Sequence, residues 1–204
     1  MAEDGRPVAV LLAGGLARRM GGGDKPLRLL HGRPLLDHVI DRITPQVCAV
    51  VLNANGDPER FRPWGLPVVA DPLPDFPGPL AGVLAGMRWA RAQYPGARDV
   101  LSVPTDTPFL PADLVTRLQA ARVASGQPIA CAASAGRTHP VVALWPVALA
   151  DALEASLLAG MRRIDAWTAQ HGVAEAAFDD APYDPFFNVN RPEELEEADR
   201  LLGS

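Results

Sequence analysis

Short apolar runs that stop at glycine, asparagine or aspartate alternate along this 204-residue chain with longer stretches carrying apolar residues every third or fourth position. The first run, Pro7 to Leu12, stops at Gly14-Gly15, as a strand buried on both faces does. From Pro34 to Ile43, residues Leu35, Leu36, Val39, Ile40 and Ile43 keep helical spacing, and Pro34 suits a first helical turn. Strands are predicted at Cys48 to Leu52, ending at Asn53, and at Leu66 to Ala70, ending at Asp71. A proline-rich loop and a helix from about Leu80 to Ala92 follow, then a strand from Val100 to Val103 that ends at Asp106. A helix over Ala112 to Ala124 precedes two strands, near Ile129 to Ala132 and Val141 to Leu144. Helices near Ala148 to Leu158 and Arg162 to His171, a strand at Val173 to Phe178 and a helix at Pro192 to Leu202 complete the pattern.

Strands alternating with helices predict an α/β fold: a mostly parallel, twisted sheet with helices on both faces. Residues 1–204 read as one domain, and the hairpin-like interruption near Gly136 reads as a substrate subregion within it. In open parallel sheets ligands bind outside the carboxyl ends of the strands. Gly14, Asn53, Asp71 and Asp106 occupy such ends, so four separate pieces of chain are expected to converge on one crevice.

Composition narrows the occupants. A net charge of −5 and an isoelectric point near 5.3 argue against a broad basic footprint for nucleic acid or anionic membrane, leaving small anionic partners. No leader-like segment or span of about 18 apolar residues is visible, and Cys48 and Cys131 have no metal or disulfide spacing. A cytoplasmic protein with reduced, buried thiols is the expectation. Of the 19 basic residues one alone is lysine, Lys25, and the four asparagines fall in two pairs, Asn53/Asn55 and Asn188/Asn190.

Lys25 ends the loop Leu12 to Lys25, which holds five glycines in fourteen residues. Glycines let backbone amides turn toward an anion and clear the way for a polyphosphate, while Arg19 and Lys25 add charge. Pro26 after Lys25 excludes the G-x-x-x-x-G-K-[ST] phosphate loop, and no dinucleotide fingerprint fits. Asp106, between Pro104 and Pro108, is placed to hold Mg²⁺, which commonly binds one or two carboxylates plus substrate phosphates.

The run Leu11-Leu12-Ala13-Gly14-Gly15 with Arg19-Met20-Gly21 and Asp24-Lys25 resembles the signature of nucleotidyltransferases related to sugar-nucleotide pyrophosphorylases. Asn53-Ala54-Asn55, Gly78-Pro79-Leu80-Ala81-Gly82 and Phe187-Asn188-Val189-Asn190 with Pro192-Glu193-Glu194-Leu195 are together similar to molybdenum cofactor guanylyltransferases, in order from Leu11 to Leu202. The resemblance implies a Rossmann-like nucleotidyltransferase fold and transfer of GMP from Mg-GTP to molybdenum-molybdopterin, with pyrophosphate released. It assigns Leu12, Ala13, Gly14, Lys25, Asn53, Asp71 and Asp106 to GTP, Asp106 to the metal, and Arg19, Lys25 and Asp106 to catalysis. Asn53 and Asp71 are expected at the base or ribose. Gly78, Pro79, Leu80, Asn188 and Asn190 are expected on the pterin side, with residues 1–110 as the nucleotide-binding half and 111–204 as the pterin-side half. Partners implied are GTP and molybdenum-molybdopterin, with transient contacts to cofactor-insertion and acceptor enzymes.

The chain departs from the family pattern at Arg191, where threonine is usual. An arginine cannot accept the helix N-cap bond, so Asn190, with Glu193 three residues on, is the expected cap. Thr105 stands where relatives often have cysteine. His139, before Pro140, reads equally as a structural hydrogen-bonding residue and as a pterin contact. Arg162 and Arg163 read as a solvated helix face, and Trp64, Trp89, Trp145 and Trp167 as packing. A CTP-using pterin enzyme, a sugar-phosphate nucleotidyltransferase and a non-catalytic GTP-binding handover protein stay open as alternatives. Gly14 bears on the first, because pyrimidine-using relatives often carry alanine there.

Overall fold

The structure, a computed structural model, describes residues 5–14, 24–73 and 78–203. Its centre is a seven-stranded sheet built from β1 (Val8–Leu12), β4 (Ala49–Asn53), β5 (Val68–Val69), β6 (Asp99–Pro104), β7 (Ile129–Ser134), β8 (Arg137–Pro146) and β9 (Val173–Ala177). The strand order is β5-β4-β1-β6-β8-β7-β9. β1 pairs in parallel with both β4 and β6, and β9 runs parallel to β7. Strand β8 alone is antiparallel to its neighbours β6 and β7. A small separate hairpin pairs β2 (Leu29–Leu30) with β3 (Arg33–Pro34).

Successive side chains on β1 serve opposite faces, as the pleat requires. Ala9 and Leu11 join a core with Leu36, Val39 and Ile43 of α1 (Leu35–Ile43) and Leu114 and Leu118 of α3 (Leu114–Ser125). Val8 and Val10 join the other core, with Val83, Leu84 and Met87 of α2 (Pro79–Gln93), Leu153 and Leu157 of α4 (Ala150–Leu158), and Trp167 of α5 (Ile164–His171). Both faces of the sheet are therefore covered, as strands apolar on every position demand.

Helix α2 lies close on the sheet because two of its residues lack side chains. A Cβ at Gly86 would meet Val10 Cβ at 2.6 Å, and one at Gly82 would meet Asn53 Oδ1 at 2.3 Å and Leu12 Cδ2 at 2.5 Å. The helix is entered through Gly78, whose φ of 137° and ψ of 166° only glycine adopts readily.

A third, smaller core gathers Leu30, Leu35, Phe109, Val189 and Ala198, the last from α6 (Pro192–Leu202). This cluster fastens three distant segments together: the β2–β3 hairpin that follows Lys25, the loop after Asp106, and the chain through Asn188 and Asn190. It sets the geometry of the site described next.

Several expectations are corrected. Both strands of the hairpin near Gly136 belong to the main sheet, and β8 lies between β6 and β7. Strand β8 is also longer than the expected Val141 to Leu144. Cys131 pairs with Ala143 while the next residue, Ala132, pairs with His139, so residues 140–142 bulge and Pro140 needs no ladder partner. The strand expected over Leu66 to Ala70 shrinks to Val68–Val69 at the sheet edge, after Pro67. Asn190 does not cap α6: Glu194 Oε2 accepts from the amides of Arg191, at 3.0 Å, and Asn190, at 2.5 Å. Cys131 is buried as expected, whereas Cys48 is only half-buried.

Candidate active site

The strand ends of β1, β4, β5 and β6 do meet. A cavity of about 400 Å³ opens there, lined by Leu12, Gly14, Asn53, Asn55, Asp71, Gly78, Pro79, Pro104 and Val141. Leu12, Gly14, Asn53 and Asp71, assigned to GTP by resemblance, thus share one wall system. Gly78 and Pro79, expected on the pterin side, line this same cavity at the N-terminus of α2. Leu80, assigned with them, is 1% exposed and its side chain belongs to the core beneath the sheet. Ala13 is likewise buried and ties the strand ends together, its amide donating to the Asn53 carbonyl at 2.9 Å.

The first asparagine pair holds Asp71 rather than standing free. Asn53 Nδ2 donates to Asp71 Oδ1 at 3.0 Å and to the Val69 carbonyl at 3.3 Å. Asn55 Nδ2 donates to Asp71 Oδ2 at 2.7 Å, and Asn55 Oδ1 accepts from the Asp71 amide at 2.9 Å. Both carboxylate oxygens of Asp71 are therefore oriented, and each keeps a lone pair for a ligand's N–H or O–H. Both N–H groups of Asn53 are thus engaged within the protein, and Asn53 still lines the cavity. Asn55 has the larger part that sequence reasoning left out of the site. Arg60 braces the same wall, donating to the Asn55 carbonyl at 2.7 Å while its Nε lies 3.2 Å from Asp24.

Beside this cavity lies the polar centre. Lys25 Nζ donates both to Asp106 Oδ2 and to Asn190 Oδ1. The side chains of Lys25 and Asp106 are only 12% and 17% exposed, so the pair is sheltered and each charge depends on the other. An ammonium has three donors, and two are engaged here. The 3-10 turn Lys25–Leu27, with Pro26 buried, fixes the lysine's backbone. Asp106 is anchored by its own carbonyl, which accepts from the Val189 amide at 2.9 Å. Asn188 Oδ1 accepts from Thr107 Oγ1 at 2.7 Å, which draws that hydroxyl away from Asp106 Oδ1, 3.5 Å distant. Thr105 donates through its amide and hydroxyl to the Leu12 carbonyl, each at 3.3 Å, binding the end of β6 to the end of β1. The second asparagine pair therefore faces Lys25 and the Asp106 loop. Arg19, with the rest of residues 15–23, lies outside the described residues.

The donors suit a hard divalent cation. Asp106 Oδ1 has no short hydrogen bond and is the available carboxylate oxygen, while Asn190 Oδ1 accepts from Lys25 beside it. Among the described residues no group of three or more His, Cys, Asp or Glu side chains could hold a metal by itself. An ion at Asp106 would complete its shell from phosphates and water, the habit of Mg²⁺.

A second cavity, about 260 Å³, adjoins the first through Pro104 and Val141 and reaches Arg137, Thr138, His139, Phe186 and Asn188. Ser134 and Asp184 bond to two residues of its lining, His139 and Arg137. Ser134 Oγ donates to Asp184 Oδ1 at 2.7 Å and lies 2.7 Å from His139 Nε2, and Arg137 donates to Asp184 Oδ2 at 2.9 Å. Burial works to raise the Asp184 pKa, but the bonds from Ser134, the Phe186 amide and Arg137 outweigh it and hold the carboxyl below its usual range. Burial pushes the His139 imidazole pKa down, against the attraction of Asp184.

Arg162 and Arg163 precede α5 rather than forming a helix face: Arg162 donates to the Leu157 and Met161 carbonyls, and Arg163 pairs with Asp165. Trp145 and Trp167 pack in the core, 5.9 Å apart. No helix among the described residues is long and apolar enough to cross a membrane.

Comparison with known proteins agrees with this geometry. Residues 9–174 match the family described as MobA-like NTP transferase domain. A molybdenum cofactor guanylyltransferase of Rhodopseudomonas palustris (strain BisB5) is 56% identical over 202 residues, covering 98% of this chain and 96% of that one. Another of that name, from Bradyrhizobium sp. (strain ORS 278), is 54% identical over 193 residues, covering 94% and 91%. Among solved structures, molybdopterin-guanine dinucleotide biosynthesis protein A of Archaeoglobus fulgidus shares the fold, with a TM-score of 0.74 at 22% identity over 96% of this chain and 98% of that one. Strand-end polar residues, a sheltered Lys25–Asp106 pair and near full-length identity above one half lead to one assignment: this chain is a nucleotidyltransferase and belongs to the molybdenum cofactor guanylyltransferase family.

Proposed function

We propose that the chain transfers GMP from GTP to the terminal phosphate of molybdenum-molybdopterin and releases pyrophosphate. The observation that carries this reading is the meeting of Lys25 and Asn190 with Asp106, two residues beyond Pro104, which lines the cavity with Leu12, Gly14, Asn53 and Asp71. The guanine nucleoside occupies that cavity, with the carboxylate of Asp71, steadied by Asn53 and Asn55, accepting from N–H or O–H groups of the base or ribose. Among the described residues nothing lies within 4 Å of a Cβ built on Gly14, so its missing side chain leaves room beside the base. The N-terminus of α2, reached through Gly78 and Pro79, adds the positive end of a helix dipole to the same wall.

The acceptor phosphate attacks the α-phosphorus in line with the departing pyrophosphate. Such chemistry requires positioning and charge neutralisation rather than a nucleophilic side chain. Lys25 donates to phosphate oxygens on which charge accumulates, Arg19 assists, and Asn190 and Asp106 keep the ammonium aimed. Asp106, with Asn190 beside it, would hold Mg²⁺; that ion, when bound, supplies electrostatic neutralisation of the phosphates. Residues 1–110 serve as the nucleotide half, and 111–204 carry the pterin side, with Asn188 and Asn190 reaching back to the reaction centre. The reaction is placed in the cytoplasm, with hand-over to insertion and acceptor enzymes.

The test is pyrophosphate release with molybdenum-molybdopterin present, comparing GTP, CTP and ATP, with the product mass measured. GTP turnover and a guanine dinucleotide mass are expected. Turnover of CTP in place of GTP would assign the chain to the cytidylyl branch, and GTP binding without pyrophosphate release would leave a handover protein.

A further inference from the structure

The second cavity holds a histidine whose tautomer the structure settles by counting protons. The Asp184 carboxylate only accepts, so the single hydroxyl proton of Ser134 goes to Asp184 Oδ1. Ser134 Oγ is left with lone pairs toward His139 Nε2, 2.7 Å away, and Nε2 must therefore carry the imidazole proton. Ser134 is 4% exposed and cannot turn to water instead. Phe186 lies against the imidazole ring at 4.7 Å and the Phe186 amide holds Asp184 at 2.9 Å, so the ring and its partner are fixed by one segment. Nδ1 is then a bare acceptor, and no hydrogen bond from the described residues engages it.

We propose that His139 Nδ1 is a specificity-determining acceptor for the pterin, taking a hydrogen bond from an N–H on the edge of the fused heterocycle, with Ser134 and Asp184 as positioning residues. The proposal rests on the transfer reaction above. Three observations favour this occupant over the nucleotide. The cavity adjoins the nucleotide cavity but is separate from Asp71, and Asn188 links it to the Asp106 loop on the acceptor side. At about 260 Å³ it falls just below the span of about 300–1,000 Å³ that encloses whole drug-sized ligands, which suits a fused ring system. Burial lowers the imidazole pKa, which favours the neutral ring that an acceptor needs.

Two amide variants separate recognition from mere structure. Glutamine in His139→Gln extends its amide to the Nε2 position, keeping a donor for Ser134 while removing the Nδ1 acceptor. Asparagine in His139→Asn places an amide oxygen near Nδ1 and loses the bond to Ser134. In the full-length enzyme, H139Q should raise the KM for molybdenum-molybdopterin about tenfold, the scale of one lost neutral hydrogen bond, while H139N stays within about threefold of wild type. The KM for GTP should not move in either. The reverse order, equal effects in both variants, or a parallel change in the GTP KM overturns the proposal. Retention of molybdenum-molybdopterin on ultrafiltration without GTP, with molybdenum counted by mass spectrometry, should follow the same order. A wild-type protein that retains the pterin but releases no pyrophosphate from GTP would refute the transfer reading and leave the His139 site standing.

Discussion

Two glycines on one helix, four residues apart, should respond to the same substitution in opposite ways. Gly82 and Gly86 both face the sheet from α2, and in each an added methyl enters a space already filled. Replacing a helical glycine with alanine gains about 1 kcal/mol of propensity, whereas forcing an extra methyl into a packed core costs about 1–3 kcal/mol. At Gly86 the obstacle is Val10 Cβ at 2.6 Å, an atom fixed to the backbone of β1 in the middle of the sheet. The upper end of the packing cost applies, and Gly86→Ala should lose about 2 kcal/mol net. At Gly82 the obstacles are Asn53 Oδ1 and Leu12 Cδ2, the far ends of two side chains that line the nucleotide cavity. They can yield into that cavity, so Gly82→Ala should stay within about 1 kcal/mol of wild type. The cost then falls on function. Asn53 cannot move without loosening its bonds to Asp71 and to the Val69 carbonyl, and Leu12 takes up space meant for the nucleoside. The KM for GTP should rise about tenfold or more, the worth of about one hydrogen bond. Urea unfolding and GTP kinetics on both variants decide the matter. An unchanged GTP KM in G82A, or an equal rise in G86A, would falsify the reasoning.

Arg122 grips Asp99 through two bonds, at 2.6 and 3.1 Å, with side chains 23% and 11% exposed; Arg122→Leu strands that carboxylate and should lower unfolding stability by about 2–3 kcal/mol while leaving nucleotide kinetics alone. Burial pushes the Cys131 thiol up to about 11, so at pH 8 roughly one molecule in a thousand carries a thiolate. Native protein should therefore take up one equivalent of iodoacetamide, at Cys48, and two after denaturation, as counted by intact mass; native labelling of Cys131 would contradict the packing. Lys25→Ala and Asp106→Asn should each cost about 10²-fold or more in kcat, and the double variant should cost far less than their product because the two groups work as one pair. Multiplicative losses would mean that they act separately.

What the sequence disclosed and what it hid divide along physical lines. Strands buried on both faces are continuous apolar runs, so β1, β4 and β6 were legible, and with them the polar residues at their carboxyl ends. Asp71 and Asp106 sit where those ends predict. Partnerships between distant segments were not legible, because no local pattern tells Asn53 and Asn55 that Val69 and Asp71 lie across a strand pair. The spacing of the asparagines was the available signal, and it marked a site without saying whether the amides touch ligand or carboxylate. The Asn190 cap failed for a similar reason: Glu194 reaches the free amides itself, and the Asn190 oxygen is drawn to Lys25. The full length of β8 is hidden because Pro140 and the polar residues Arg137 to His139 look like loop, and the bulge that accommodates them shows only in the register. The pairing of Ser134 with Asp184 spans 50 residues and left no trace in periodicity.

The Lys25–Asp106 pair also bears on where binding strength comes from. A lone sheltered carboxylate would repel a polyphosphate, and a lone sheltered ammonium would hold substrate and product phosphates alike, which lowers KM without raising kcat. Paired, the two cancel, and the groups that meet the phosphates begin near neutrality. On the proposed reaction ground-state affinity comes from the cavity beside Asp71 and its two asparagines, away from the reacting phosphates. On that proposal Lys25, already held by Asp106 and Asn190, would strengthen its remaining interaction only as charge gathers on the departing pyrophosphate, with no reorganisation at that moment. The third core, from Leu30 to Ala198, matters for the same reason: by clamping three segments far apart in sequence it keeps that ammonium aimed, so that packing remote from the substrate sustains the rate.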